Sequence, residues 1–140
     1  MKEVNGMAKK KDIYDNYKYY NLAPSGFKAT DDCQVRAIAT AFGWSYRTAR
    51  RKVWRYAYRH GADDISDEVT LYAFITEHAK QNVLYVDRIG KHNFSQFAHE
   101  YPTGSWILFC EGHMACVKDG VLLDQSDTRK KMVYYAWRVK

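Results

Sequence analysis

Between residues 35 and 79 the apolar positions recur at helical spacing. Val35, Ile38, Ala39 and Phe42 fall at i, i+3, i+4 and i+7, the stripe of an amphipathic helix. Asp31 or Asp32 stands where a cap is wanted, and Gly43 where the helix ends. Ser45 opens a second helix with Ala49, Val53 and Ala57 on one face and Gly61 beyond it. Ser66 is the predicted cap of a third, SDEVTLYAFITEHAK. There Asp67 and Glu68 occupy the first turn, where the helix dipole favours carboxylates, and Leu71, Tyr72, Ile75 and Ala79 form the stripe.

The period then changes. NVLYVDRIG has the β-branched and aromatic content of a strand. Asn93 to Tyr101 predicts a short helix with Phe94, Phe97 and Ala98 inward and Pro102 as its stop. SWILFC, HMACVK, VLLDQSD and MVYYAWRV follow as strands, and Asp119-Gly120 between two apolar runs is a hairpin signal. Helices first and an antiparallel sheet afterwards define an α+β domain.

At 140 residues the chain has the size of one domain. Residues 1–28, basic at Lys9, Lys10 and Lys11 and then rich in tyrosine, read as a leader; residues 29–140 read as the domain. Pro24, Ser25 and Gly26 mark a turn between them. No run approaches the roughly 20 apolar residues of a membrane span, so no membrane partner is expected. Three cysteines, Cys33, Cys110 and Cys116, are an odd count for a disulfide framework. Free thiols in a reducing, cytoplasmic compartment are the expectation. The net charge of +6 admits an acidic partner and equally fits a small basic enzyme.

The candidate chemistry centres on Cys33. It sits in the first turn of the first helix, where unpaired N–H groups and the dipole favour a thiolate, the nucleophilic form. His113 follows Gly112 at the start of a strand. A two-residue turn at Asp119-Gly120 pairs His113 with Ser126 and Ala115 with Asp124. Asp124 is then a diagonal neighbour of His113 on the same face, close enough to orient the imidazole. Asp127 is the rival orienter. A nucleophile at a helix start, with a base and its orienter on adjacent strands, is the arrangement of thiol hydrolysis.

DDCQVRAIATAFGWSY and GSWILFCEGHMACVKDGVLLDQSD resemble papain-like cysteine peptidases over roughly residues 28–128. The small peptidases that process double-glycine leaders, and short bacteriophage proteins of similar pattern, are the nearest group. The resemblance implies a papain-like fold, a nucleophile at Cys33, a base at His113 and an orienter at Asp124. It implies a peptide or protein substrate and no cofactor. Where a protein of this type is phage-encoded, the host cytoplasm is its compartment. One position departs from the pattern: six residues before the nucleophile the group carries a glutamine, and this chain has Phe27. Thr30, Asp31, Asp32 or Gln34, or the backbone N–H of Cys33, are the candidates to support the oxyanion instead. Two carboxylates beside the thiol oppose its ionisation unless they face away or pair with Arg36. A catalytically inactive relative that binds a host or phage protein through the same cleft is a further reading.

A separate reading lies in the second helix. Arg47, Arg51, Arg55 and Arg59 are spaced by four and form one basic stripe, and segment 34–58 imitates a helix-turn-helix. Nucleic-acid contact therefore ranks second to hydrolysis, and a solvated outer face is the plain alternative. Cys110, His113 and Cys116 also form a C-x2-H-x2-C run, which invites a zinc reading. A zinc site wants four ligands, and only a break at Gly112 could gather these three, so no metal is expected. On one continuous strand His113 would point away from both cysteines, which are expected as packed small hydrophobes.

Overall fold

The structure, a computed structural model, describes residues 15–21, 32–65, 67–79, 84–85 and 91–140. In chain order the elements are β1 (Tyr17–Tyr19), α1 (Cys33–Phe42), α2 (Tyr46–Arg59), α3 (Glu68–His78), β2 (Leu84–Tyr85), α4 (Phe94–Glu100), β3 (Ser105–Cys110), β4 (His113–Lys118), β5 (Val121–Asp124) and β6 (Tyr135–Arg138). The domain is α+β, as the hydrophobic pattern predicts. The turn expected at Pro24-Ser25-Gly26 and most of the strand expected over NVLYVDRIG lie outside the described residues.

The stripe of α1 is buried as its spacing requires, with Val35, Ile38 and Ala39 at most 1% exposed. Gly43 closes the helix in the left-handed region, and its N–H donates to the Ala39 carbonyl at 3.0 Å. Ser45 caps α2 by accepting from the Thr48 N–H at 3.1 Å. The cap of α3 differs from the expectation. Asp67 holds that place, accepting from the Thr70 N–H at 3.0 Å and from its hydroxyl at 2.7 Å. Carboxylate and hydroxyl serve equally well as caps, so adjacent Ser66 and Asp67 could not be separated by residue type.

The strands form one sheet in the order β1-β5-β4-β3-β6-β2. It is mixed, which corrects the expectation of a purely antiparallel sheet. Tyr17–Tyr19, inside the segment read as a leader, runs parallel to β5, with Tyr19 opposite Asp124. The Asn16 side chain anchors this edge strand, donating to the Ser95 carbonyl at 2.9 Å and accepting from the Ser95 hydroxyl at 2.8 Å.

The hairpin β4–β5 has the predicted register, Lys118 opposite Val121 and Cys116 opposite Leu123. Asp119 and Gly120 both have positive φ, 48° and 81°, the geometry of a two-residue turn matched to strand twist. Side chains alternate across the sheet. Met114 and Cys116 pack with α1, α2 and α3 on one side; Ala115, Val117 and Leu122 pack with Phe94, Phe97 and Ala98 of α4 on the other. Helix α1 crosses β4 and β3, which brings its N-terminus to the end of the sheet where β4 begins.

Candidate active site

Cys33 is the first residue of α1 and is half-buried. An α-helix leaves its first N–H groups without intrahelical acceptors. Asp32 occupies the cap position but makes no cap hydrogen bond. Its carboxylate turns instead to the guanidinium of Arg36, one turn on, and accepts from the Tyr46 hydroxyl at 2.7 Å. Burial, reinforced by Asp32, pushes the Tyr46 phenol up to about 12, so it remains a donor throughout the neutral range. Asp32 is 1% exposed, and its charge is paired within the protein. The expected pairing of Arg36 is thus present. Tyr46 is a member of this cluster that sequence reasoning missed, because the two residues meet only after α2 folds back on α1.

His113 begins β4. Its Nε2 lies 2.7 Å from Asp124 Oδ2, with the two side chains 17% and 6% exposed. Continuing the hairpin register by one step opposes Ala115 to Asp124, the diagonal placement that the turn predicts. Asp124 is held from several directions. Its Oδ2 accepts from the Thr128 hydroxyl at 2.7 Å and its Oδ1 from the Gln125 N–H at 2.8 Å. Its carbonyl accepts from the Tyr20 N–H at 2.9 Å and from the Tyr17 hydroxyl at 3.2 Å, both from the β1 segment. Thr128 was not anticipated, although an Asp and a Thr four apart past a strand end is a readable signal.

Burial alone would pull the His113 imidazole down. The Asp124 hydrogen bond, joined by a contact with Cys33 as the second side-chain partner of the ring, outweighs it and lifts His113 to about 9. The ring is therefore an imidazolium at neutral pH. With Nε2 engaged by Asp124, Nδ1 is the nitrogen left to serve the sulfur. Cys33, Asp124, Met114, Ala115, Tyr20 and Gln125 line one small cleft. A larger, aromatic-lined cavity of about 220 Å³ shares Met114 with it and is bounded by Tyr72, Phe109, Tyr135 and Trp137, with Glu68 and Val69 at its border.

The other candidates separate clearly. Asp127 is on the surface, paired with Arg129 at 2.7 Å, and does not orient His113. Gln34 follows Cys33, and its Oε1 is buried without a hydrogen-bond partner among the described residues. Phe27, Thr30 and Asp31 lie outside the described residues. Arg47, Arg51, Arg55 and Arg59 are all exposed. Segment 34–58 does form two helices joined by a short turn. However, α1 has no exposed residue and cannot lie across a DNA backbone as the first helix of a helix-turn-helix does.

The cysteine run is broken at Glu111-Gly112, so Cys110 pairs directly with His113 and shares its face, contrary to the continuous-strand expectation. Cys116 lies on the other side. Burial pushes the Cys110 thiol up to about 11 and the Cys116 thiol up to about 12. Among the described residues no three His, Cys, Asp or Glu side chains are grouped to hold a metal ion. No described helix is long and apolar enough to cross a membrane.

A thiol at a helix start, beside an imidazolium that a buried carboxylate orients, is an arrangement able to perform nucleophilic acyl transfer. Comparisons with family models, curated proteins and solved structures find no match for this chain.

Proposed function

We propose that the protein is a cysteine-dependent hydrolase of papain-like type acting on peptide bonds. The observation that carries this reading is the His113–Asp124 pair at 2.7 Å, with Cys33 as the second partner of the ring. Cys33 attacks the carbonyl carbon, and the free N–H groups of the first turn of α1 receive the developing oxyanion. His113 gives its proton to the leaving amine, which departs as the thioester forms. The neutral imidazole then takes a proton from water, and the resulting attack on the thioester releases the acid and restores the thiolate beside the imidazolium. Asp124 fixes the ring orientation throughout. An apolar side chain of the substrate fits the aromatic cavity beside Met114.

Thiol reactivity tests this without a known substrate. Limited iodoacetamide at about pH 6, below the free thiol value of ~8.5, labels Cys33 ahead of the two buried cysteines, as read by peptide mass mapping. His113→Ala slows that labelling by removing the positive partner. Three similar slow rates, or no effect of His113→Ala, would reject the pair. Selective labelling without turnover of any peptide in a mixed library would favour an inactive cleft that only binds.

A further inference from the structure

The outer face of α2 carries a surface that the thiol chemistry does not use. The helix holds six basic residues and no acidic one. Tyr46, Ala49, Val53, Tyr56 and Ala57 are committed to the interior, which turns the remaining positions outward together. Two parallel rows with four-residue spacing result. One is Arg47, Arg51, Arg55 and Arg59; the other is Arg50, Trp54 and Tyr58, and all seven are exposed. Successive members of a row stand ~6 Å apart along the axis. Among the described residues, none of the four arginines of the first row forms an ion pair with a carboxylate. A concave surface of about 460 Å³ runs beside the helix, lined by Arg47, Arg50, Arg51, Trp54 and Ile65.

A solvated helix face accounts for the arginines. It does not account for Trp54 at 55% and Tyr58 at 78% exposure, adjacent in one row. Two large rings left in water beside a line of cations have a common use, since cations hold phosphates while rings stack on bases. An acidic peptide would engage only the arginines. A duplex would offer phosphates but no open base face, and buried α1 gives no second helix for groove docking.

We propose that this face of α2 binds single-stranded nucleic acid, with the arginine row on the phosphates and Trp54 and Tyr58 stacked on bases. The site stands independently of the Cys33 cleft.

The test is fluorescence anisotropy of a labelled oligothymidylate across a salt series, with a duplex of equal length and polyglutamate as competitors. The oligothymidylate is expected to bind, and to be displaced by neither competitor at equal charge. Replacing Arg51, Arg55 and Arg59 by alanine lowers the slope of log affinity against log salt by about 2, at roughly 0.7 per phosphate contact. Trp54→Ala weakens binding at least about fivefold and leaves the slope unchanged. All these side chains are exposed, and circular dichroism verifies each variant. Should the triple variant unfold, Trp54→Ala and the wild-type salt series still decide. Equal displacement by polyglutamate, or no effect of Trp54→Ala, would overturn the proposal in favour of an acidic protein partner. Equal displacement by the duplex would overturn the stacking role, and no binding at low salt would leave only a solvated face.

Discussion

Asp124 and Asp127 are chemically identical and three residues apart, yet their surroundings give them different work. Asp124 is buried against His113 and Thr128, while Asp127 meets Arg129 in solvent. Asp124→Asn is expected to lower kcat/KM at least about 100-fold, because the ring loses the carboxylate that orients it. Asp127→Asn should stay within about threefold, since exposed pairs contribute little. A reversed order would move the orienting role. The protonation of His113 has a stability consequence of definite sign. Its folded value near 9 lies above the ~6.5 of an unfolded histidine, so the folded protein binds the proton more tightly. That stabilisation is complete below about pH 6.5, declines above it and is gone once pH has risen through about 9. Its full size is on the order of 3 kcal/mol, from about 1.4 per pH unit. Urea midpoints of wild type and His113→Gln should therefore converge between neutral and alkaline pH, and parallel curves would contradict the shift. Cys33, His113 and Asp124 were legible in the sequence because each occupies a position with a local marker: a helix start, a Gly-His, a hairpin parity. Tyr46 had no such marker, since its bond to Asp32 depends on how α1 and α2 meet; Thr128 had one, its spacing of four from Asp124 past the strand end, and it went unread.

At the scale of elements, what was readable is what local chemistry decides. The apolar stripe of α1 and Gly43 after it predict a helix ending where it does end. Asp119-Gly120 determines the β4–β5 register, and through it the place of Asp124. Strand β1 was not readable. Its partner lies about a hundred residues later and runs parallel, and Tyr17, Lys18 and Tyr19 show no pattern long enough to distinguish a strand from a linker. The weight placed on one turn is open to measurement. Gly120 has φ 81°, while an added Cβ would meet nothing closer than 3.6 Å. Gly120→Ala is therefore a purely backbone perturbation, expected to cost about 1–2 kcal/mol. Chemical denaturation measures that loss, and activity per folded molecule should hold if the register survives. A larger loss, or a collapse of activity in folded protein, would mean that the turn is being rebuilt rather than strained.

Across the whole molecule, the sheet separates two packed cores, and the candidate site lies where the helical layer meets the end of β4. Cys33 arrives from a helix and the other two residues from strands, so the constellation exists only when both layers are assembled. One contributor is peripheral in a useful way. Strand β1 lies at the edge of the sheet, pairs with β5 alone among the described residues, and together with Tyr20 just after it places two hydrogen bonds on the carbonyl of Asp124. An edge strand attached through its own backbone can in principle be exchanged for a separate molecule, because the groove it vacates keeps its donors and acceptors. A chain starting after residue 21 should then fold with low activity, and a synthetic peptide of residues 15–21 should restore it saturably. The same peptide with Asn16 changed to Ala should restore it less, having lost its anchor to Ser95. Such a pair would behave as a split reporter, in which turnover reports the meeting of two fragments.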